Sequence, residues 1–64
     1  MGWFSNKKKR IADLERQIAI LRQAIKIYNG ELKARPNDEG IKKQLTEADD
    51  QITVCKDEIT ELKQ

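Results

Sequence analysis

Two pairs of neighbouring carboxylates, Asp49-Asp50 and Asp57-Glu58, are the residues that could most readily suggest acid–base chemistry. Both pairs fall in a segment with helical periodicity. Adjacent residues on a helix diverge by about 100° and do not face each other. We therefore interpret both pairs as solvated surface and not as a catalytic dyad.

A single cysteine, Cys55, is the other side chain with reactive potential, and the chain has no histidine that could activate it. One cysteine forms neither an internal disulfide nor a zinc cluster. Gly2, Gly30 and Gly40 are isolated, so no phosphate-binding glycine loop is present. In a chain of 64 residues we expect no enzyme activity, no catalytic residue, no metal and no cofactor.

The first ten residues combine two large aromatic side chains with a basic run. Aromatic residues are favoured anchors at protein interfaces. Beside basic residues they also suit an anionic membrane surface, and the basic run alone suits nucleic-acid phosphates. A disordered start is the simpler alternative. The candidate binding residues here are Trp3, Phe4, Lys7, Lys8, Lys9 and Arg10.

Apolar residues recur at alternating steps of three and four residues in both halves of the chain, which is the heptad pattern of coiled-coil helices. No segment alternates with period two, so no strand is predicted. The heptad residues are Ile11, Leu14, Ile18, Leu21, Ile25, Tyr28 and Leu32 in the first half, and Ile41, Leu45, Ala48, Ile52, Cys55, Ile59 and Leu62 in the second.

A turn separates the two patterns. Pro36 cannot continue a helix, and Asn37 is a good N-cap for the next one. Pro36 and Ile41 then occupy the two positions of a hydrophobic staple. The stretch from Leu32 to Leu45 resembles the helix-to-helix junction of tetratricopeptide repeats, although the repeat itself, of about 34 residues, is absent.

These signals predict one domain with helix 1 over residues 5–34, a turn at 35–37 and helix 2 over 38–63. Asn29-Gly30 is a competing break signal, but the heptad pattern continues through it to Leu32. Residues 1–8 extend beyond the end of helix 2 as an aromatic and basic overhang.

One antiparallel register, with the turn at Pro36-Asn37, aligns all seven heptad layers from Leu32–Ile41 to Ile11–Leu62. We therefore predict an all-α antiparallel two-helix coiled-coil hairpin and not a single long helix. The same register predicts flanking pairs that fix the orientation: Arg22 with Asp49, Glu15 with Lys56, Gln17 with Glu58, and Glu31 with Gln44.

Helix 1 carries a second apolar line that the hairpin does not use, at Ile20, Ile27 and Ala34, which are seven residues apart. Ile20 and Ile27, with Ala24 outside the heptad seam beside them, are candidate binding residues. A contiguous exposed apolar stripe usually marks an interface. We expect a second copy to cover it, giving a homodimeric four-helix bundle. The alternative is a scatter of tolerated surface residues.

Residues 1–36 hold nine basic and three acidic residues, and residues 37–64 hold four basic and eight acidic ones. Such halves suit two segments that fold together. We expect a cytoplasmic, non-catalytic module for protein binding: an adaptor, scaffold or inhibitor whose partners are itself and another protein. A peripheral membrane or nucleic-acid tether is the alternative. The whole is similar to small accessory proteins of bacteria and their phages.

Overall fold

The computed structural model describes the backbone of residues 2–64 and the side chains of residues 6–64. Helix α1 spans Gly2–Ala34 and helix α2 spans Glu39–Lys63. The helices pack against each other as a hairpin, and residues 2–64 contain no strand. The molecule is a rod of 51 × 15 × 13 Å. Its length is that of the longer helix, α1, at a rise of about 1.5 Å per residue. The prediction of an all-helical hairpin is confirmed.

The predicted heptad residues form the contact between the helices. All fourteen are buried or half-buried, whereas almost every other described side chain is exposed. Leu14, at 2% exposure, and Cys55, at 4%, are the most buried. They form one cluster with Ile18 and Ile52, against which further heptad residues pack. The periodicity of the sequence therefore identifies the core.

The connection between the helices is a tight turn, and its cap differs from the predicted one. The Asp38 N–H donates to the Arg35 carbonyl at 3.2 Å, which places Pro36 at the turn position that its fixed φ favours. The N-cap of α2 is Asp38, whose carboxylate Oδ1 accepts from the Ile41 N–H at 3.1 Å. The prediction of Asn37 as N-cap was wrong by one residue.

The shift of the cap also removes the predicted staple. With Asp38 as N-cap, the two staple positions fall on Asn37 and Lys42, which are polar and exposed. Ile41, predicted as half of the staple, is instead 8% exposed and belongs to the core. The Arg35 guanidinium lies 3.9 Å from the Asp38 carboxylate and adds a weak ion pair to the turn.

Helix α1 is longer than predicted at its start and unbroken near its end. It begins at Gly2 and not at residue 5. It passes through Asn29-Gly30 without interruption, as the heptad pattern predicted. Because α1 has 33 residues and α2 has 25, the start of α1 extends beyond α2.

Candidate protein-binding surface

The hairpin has two long surfaces, one on each flank of the contact between the helices. Shallow grooves run along each flank, and their lining shows which residues lie there together. One groove is lined by Gln17, Ile20, Leu21 and Gln51. The groove next to it adds Ala24, Tyr28, Gln44, Glu47 and Ala48. We call this flank the glutamine side and define it by its central residues: Gln17, Ile20, Ala24, Ile27, Gln51 and Val54.

Among the side chains of residues 6–64, the large apolar ones that remain exposed belong to the glutamine side. Ile20 is 62% exposed, Ile27 60% and Val54 56%. Ile27 lies one heptad after Ile20 on α1, and Val54 lies three residues after Gln51 on α2, so both share the flank of the first groove. Ala24 is half-buried between the two isoleucines. The second apolar line predicted from the sequence, Ile20, Ile27 and Ala34, is thus exposed.

The opposite flank, the charged side, is chemically different. One of its grooves is lined by Glu15, Arg22 and Lys56 over the core residues Ile18 and Ile59. Another is lined by Asn29, Thr46 and Asp49 over Ile25 and Leu45. Charges of both signs line these grooves, whereas glutamines and apolar residues, with Glu47, line those of the glutamine side. The hairpin therefore offers one surface suited to water and one suited to an apolar partner.

Gln17 and Gln51 were not predicted as site residues. Gln17 is exposed at the groove, and its side-chain carbonyl accepts a hydrogen bond from the buried Cys55 thiol at 3.5 Å. This contact joins a surface residue to the core. The signal that could have found both glutamines is their heptad position, since they flank the contact on the same side as Ala24.

The predicted pair of Gln17 with Glu58 is not what forms. Glu58 instead binds Arg10, whose Nε lies 2.6 Å from Glu58 Oε2. Arg10 is one heptad before Gln17, so Glu58 reaches along the same flank to a charged partner. Both donors would bind the Glu58 carboxylate, but the Arg10 guanidinium is also charged, so its hydrogen bond includes a Coulomb attraction that the neutral Gln17 amide lacks. Glu15 and Lys56, also predicted as neighbours, do line one groove together.

The basic cluster at the start of α1 is not one uniform patch. Arg10 is held by Glu58, and this hydrogen bond, with the charge of Glu58, raises the pKa of the guanidinium above its ordinary value. Lys7 is half-buried, while Lys8 and Lys9 are exposed. The side chains of Trp3 and Phe4 lie outside the described residues. Lys8 and Lys9 therefore carry most of the exposed positive charge of this cluster.

The acidic pairs lie on the surface of α2. Asp49, Asp50 and Asp57 are exposed, and Glu58 is half-buried in its pair with Arg10. Within residues 6–64, no three His, Cys, Asp or Glu side chains come together in a group that could hold a metal ion. In the part of the chain that the structure describes, neither helix contains a segment long and apolar enough to cross a membrane.

No protein-family model, curated protein or solved structure matches this chain. A function for it must be argued from the surface of the hairpin. The two flanks described above differ in chemistry, and the exposed isoleucines lie on one of them. The glutamine side is the candidate binding surface.

Proposed function

We propose that this protein is a non-catalytic protein–protein interaction module, an adaptor, scaffold or inhibitor, that presents a rigid helical hairpin. Its binding surface is the glutamine side, and its first partner is a second copy of the chain, with which it forms a four-helix bundle. One observation carries the proposal. The exposed large apolar residues Ile20, Ile27 and Val54 share the glutamine side, while charged residues line the grooves of the opposite flank.

The accessible surface of the single hairpin supports a partner. A folded monomer of 7.4 kDa is expected to expose about 4,200 Å² from the scaling of surface with mass. The hairpin exposes 5239 Å². A standard protein interface buries about 800 Å² on each partner, which is similar to this excess. The elongated shape, 51 × 15 × 13 Å, contributes to this excess and leaves the long flanks of the rod available to a partner.

The size of the core points the same way. The buried apolar residues of the described chain are few, and a two-layer contact is all that one hairpin can build. Single cores in chains this short supply only about 3–5 kcal/mol, and natural examples often add stability by association. Packing a second hairpin against the glutamine side would turn its half-buried Leu21, Ala24 and Tyr28 into core residues.

Replacing Ile20 and Ile27 together by glutamate tests the proposal. The double variant should be monomeric, because charge at the centre of the interface would be buried without a partner. The parent should be a dimer in analytical ultracentrifugation. Circular dichroism should show unchanged helicity, since both residues are exposed in the hairpin.

A matched control exists on the same helix. Ala12 and Ala19 are exposed, have the same spacing of seven residues and lie towards the charged side. Their replacement by glutamate should leave the dimer intact. A parent that stays monomeric at high concentration contradicts the proposed dimer, and a helical Ile20/Ile27 variant that still dimerises places the interface elsewhere.

A membrane or nucleic-acid tether is the second candidate function. Its support is the start of α1, which extends beyond α2 with Lys8 and Lys9 exposed. Exposed lysines attract anionic lipids and nucleic-acid phosphates, and salt weakens both interactions. The pairing of Arg10 with Glu58 reduces the charge available for this role.

A further inference from the structure

We propose that the outward face of α1 is a second binding surface, and that its partner is an acidic helical segment of another protein. This inference goes beyond the proposed dimer and does not depend on it. We call the surface the basic face. It consists of two neighbouring lines of residues with a step of seven: Lys9, Arg16, Gln23 and Gly30 in one line, and Ala12, Ala19, Lys26 and Lys33 in the other.

The basic face is positive and contains no acidic residue, although the whole chain is nearly neutral. Its four cations are exposed. The chain has 13 basic and 11 acidic residues, but neither line includes Asp or Glu. Both lines lie at the heptad positions farthest from the contact with α2, so the acidic residues of α2 are on the opposite side of the α1 axis. Charge is thus balanced along the rod but not across it.

The cations of the basic face are not neutralised within the described part of the chain. Among residues 6–64, the ion pairs are formed by Arg10, Arg35 and Lys42, none of which belongs to this face. Arg22, at the edge of the face, was predicted to meet Asp49 and forms no ion pair with it. The positive charge is therefore available to a partner outside the hairpin.

A shallow groove in the middle of the basic face has the composition of a carboxylate site. It is lined by Ala19, Arg22, Gln23 and Lys26. Arg22 and Lys26 are one helical turn apart, so two cations stand beside a floor that Ala19 leaves free of bulk. A guanidinium can bind a carboxylate through two parallel hydrogen bonds, and the Gln23 amide offers a further donor. An acidic side chain of a partner would find opposite charge and hydrogen-bond donors here.

The spacing of the basic face favours a helix as the partner. Small residues recur between the cations, at Ala12, Ala19 and Gly30, and small residues let the axes of two helices approach closely. The step of seven is the period at which a second helix stays in register along its length. A nucleic acid or a membrane is attracted by net charge instead, and the net charge of this chain is only +2.

The basic face is separate from the glutamine side, although both lie on α1. Ala19 and Ile20 are neighbours in the sequence, as are Lys26 and Ile27. Neighbouring residues on a helix diverge by about 100°. A second copy bound to the glutamine side therefore leaves the basic face accessible.

Synthetic helical peptides test the proposal. The probe is a fluorescent alanine- and glutamine-based peptide of about 28 residues, long enough to be helical in isolation, with glutamate at every seventh position. A second peptide has the same composition but its glutamates are spread around the helix. In fluorescence anisotropy at about 0.1 M salt, where charges more than about 10 Å away are screened, the protein should bind the first peptide at least about fourfold more tightly.

Charge reversal on the basic face should remove this binding. Arg16→Glu with Lys26→Glu should raise the dissociation constant of the first peptide at least about fourfold, because each change turns an attraction into a repulsion. Lys43→Glu with Lys63→Glu is the matched control, since it changes the net charge equally at exposed sites of α2. The control should change the dissociation constant by less than about twofold, because these sites face away from the peptide.

Two uncharged double variants separate the surfaces and the kind of contact. Ala12→Gln with Ala19→Gln adds bulk between the cations without changing the charge, so it should cause a loss of affinity for the helical peptide. Ile20→Gln with Ile27→Gln should dissociate the dimer and leave the peptide bound. A monomeric parent that still binds the peptide would contradict the dimer alone.

Four results would overturn the basic face as proposed. No binding of either peptide, or equal binding of both, is the first, and equal weakening by the α2 control is the second. A DNA duplex that binds more tightly than the peptide, and that the Ala12 and Ala19 changes leave bound, would assign the face to nucleic acid. Association of the parent beyond a dimer, removed by Arg16→Glu with Lys26→Glu, would assign it to α2 of another copy. None of these results bears on the dimer through the glutamine side.

Discussion

Gly30 and Gly40 both lie in helices, but they differ in what a side chain would meet. A Cβ added at Gly30 would have no atom within 4 Å. A Cβ added at Gly40 would lie 3.2 Å from Oδ1 of Asp38, the oxygen that caps α2. Neither residue has the positive φ that only glycine adopts readily. Gly30 is therefore a helix weakness without a structural role, whereas Gly40 leaves room for the cap.

Gly30→Ala should stabilise the hairpin by up to about 1 kcal/mol, because alanine loses less backbone entropy than glycine when a helix forms. Gly40→Ala should gain clearly less, since the Asp38 carboxylate must shift to make room. Urea denaturation followed by far-ultraviolet circular dichroism, at one protein concentration, measures both changes. Equal stabilisation by the two substitutions would show that the Asp38 cap tolerates a methyl group.

The turn between the helices depends on which of two neighbouring residues caps α2. Asn37 and Asp38 are both good N-cap types. The backbone decides between them: Asp38 has the extended conformation of a cap, with φ −76° and ψ 104°, and its carboxylate reaches Ile41 N. Asn37 lies in the turn behind Pro36 and is exposed. The cap is thus set by the turn that proline imposes.

Asp38→Ala should lower the free energy of unfolding by about 1 kcal/mol, within the range of 0.5–2 kcal/mol found for lost N-caps. Two effects lower the stability: the Ile41 N–H loses its hydrogen-bond acceptor, and a carboxylate is removed from the positive end of the helix dipole. Asn37→Ala, the change at the cap predicted from sequence, should cost much less. A larger loss from Asn37→Ala than from Asp38→Ala in urea denaturation would contradict the assigned cap.

Sequence periodicity predicted the helices and their contact because both depend on local rules. A heptad seam specifies which face of each helix is buried, and the predicted register places Leu14, Ile18, Ile52 and Cys55, which form one cluster, in three consecutive layers. The same pattern carried α1 through Gly30, where a single-residue propensity would have ended it. The second apolar line was also predictable, since Ile20 and Ile27 are off the seam and remain exposed.

Features that depend on one side chain choosing between nearby partners were not predictable. Gln17 and Arg10 lie one heptad apart on the helix that faces Glu58. Sequence alone places both on the same flank as Glu58, so it does not tell which of them Glu58 binds. The charge of Arg10 decides the choice. For Gln17 and Gln51 the sequence does give the flank, through their heptad positions, but the groove that they line together appears only once the helices are packed.

The whole molecule is a rod whose two helices carry opposite charge along their shared length. The basic first half and the acidic second half of the chain lie side by side, which balances charge over most of the rod. The balance ends where α1 extends past α2, so the positive charge of Lys8 and Lys9 is concentrated at one end. The glutamine side and this end are separate surfaces and can be tested separately.

Vesicles containing phosphatidylserine and a short DNA duplex are suitable probes of the positive end. As a protein-binding module, the parent should show at most weak retention on either probe, and physiological salt should remove it, because the charge involved is small. Lys8→Glu with Lys9→Glu should weaken any binding seen at low salt by about 30-fold, because each lysine contributes about 1 kcal/mol to binding at an anionic surface. Ile20→Glu with Ile27→Glu should not change it.

The opposite pattern would favour the tether. Retention at physiological salt that Lys8→Glu with Lys9→Glu abolishes, and that the Ile20 and Ile27 changes leave intact, would assign the main function to this end. Trp3→Ala with Phe4→Ala then separates the two anionic surfaces. Aromatic residues contribute at a bilayer interface, so their loss should reduce vesicle binding more than duplex binding if the membrane is the target. Equal losses on both probes would instead indicate a shared electrostatic interaction.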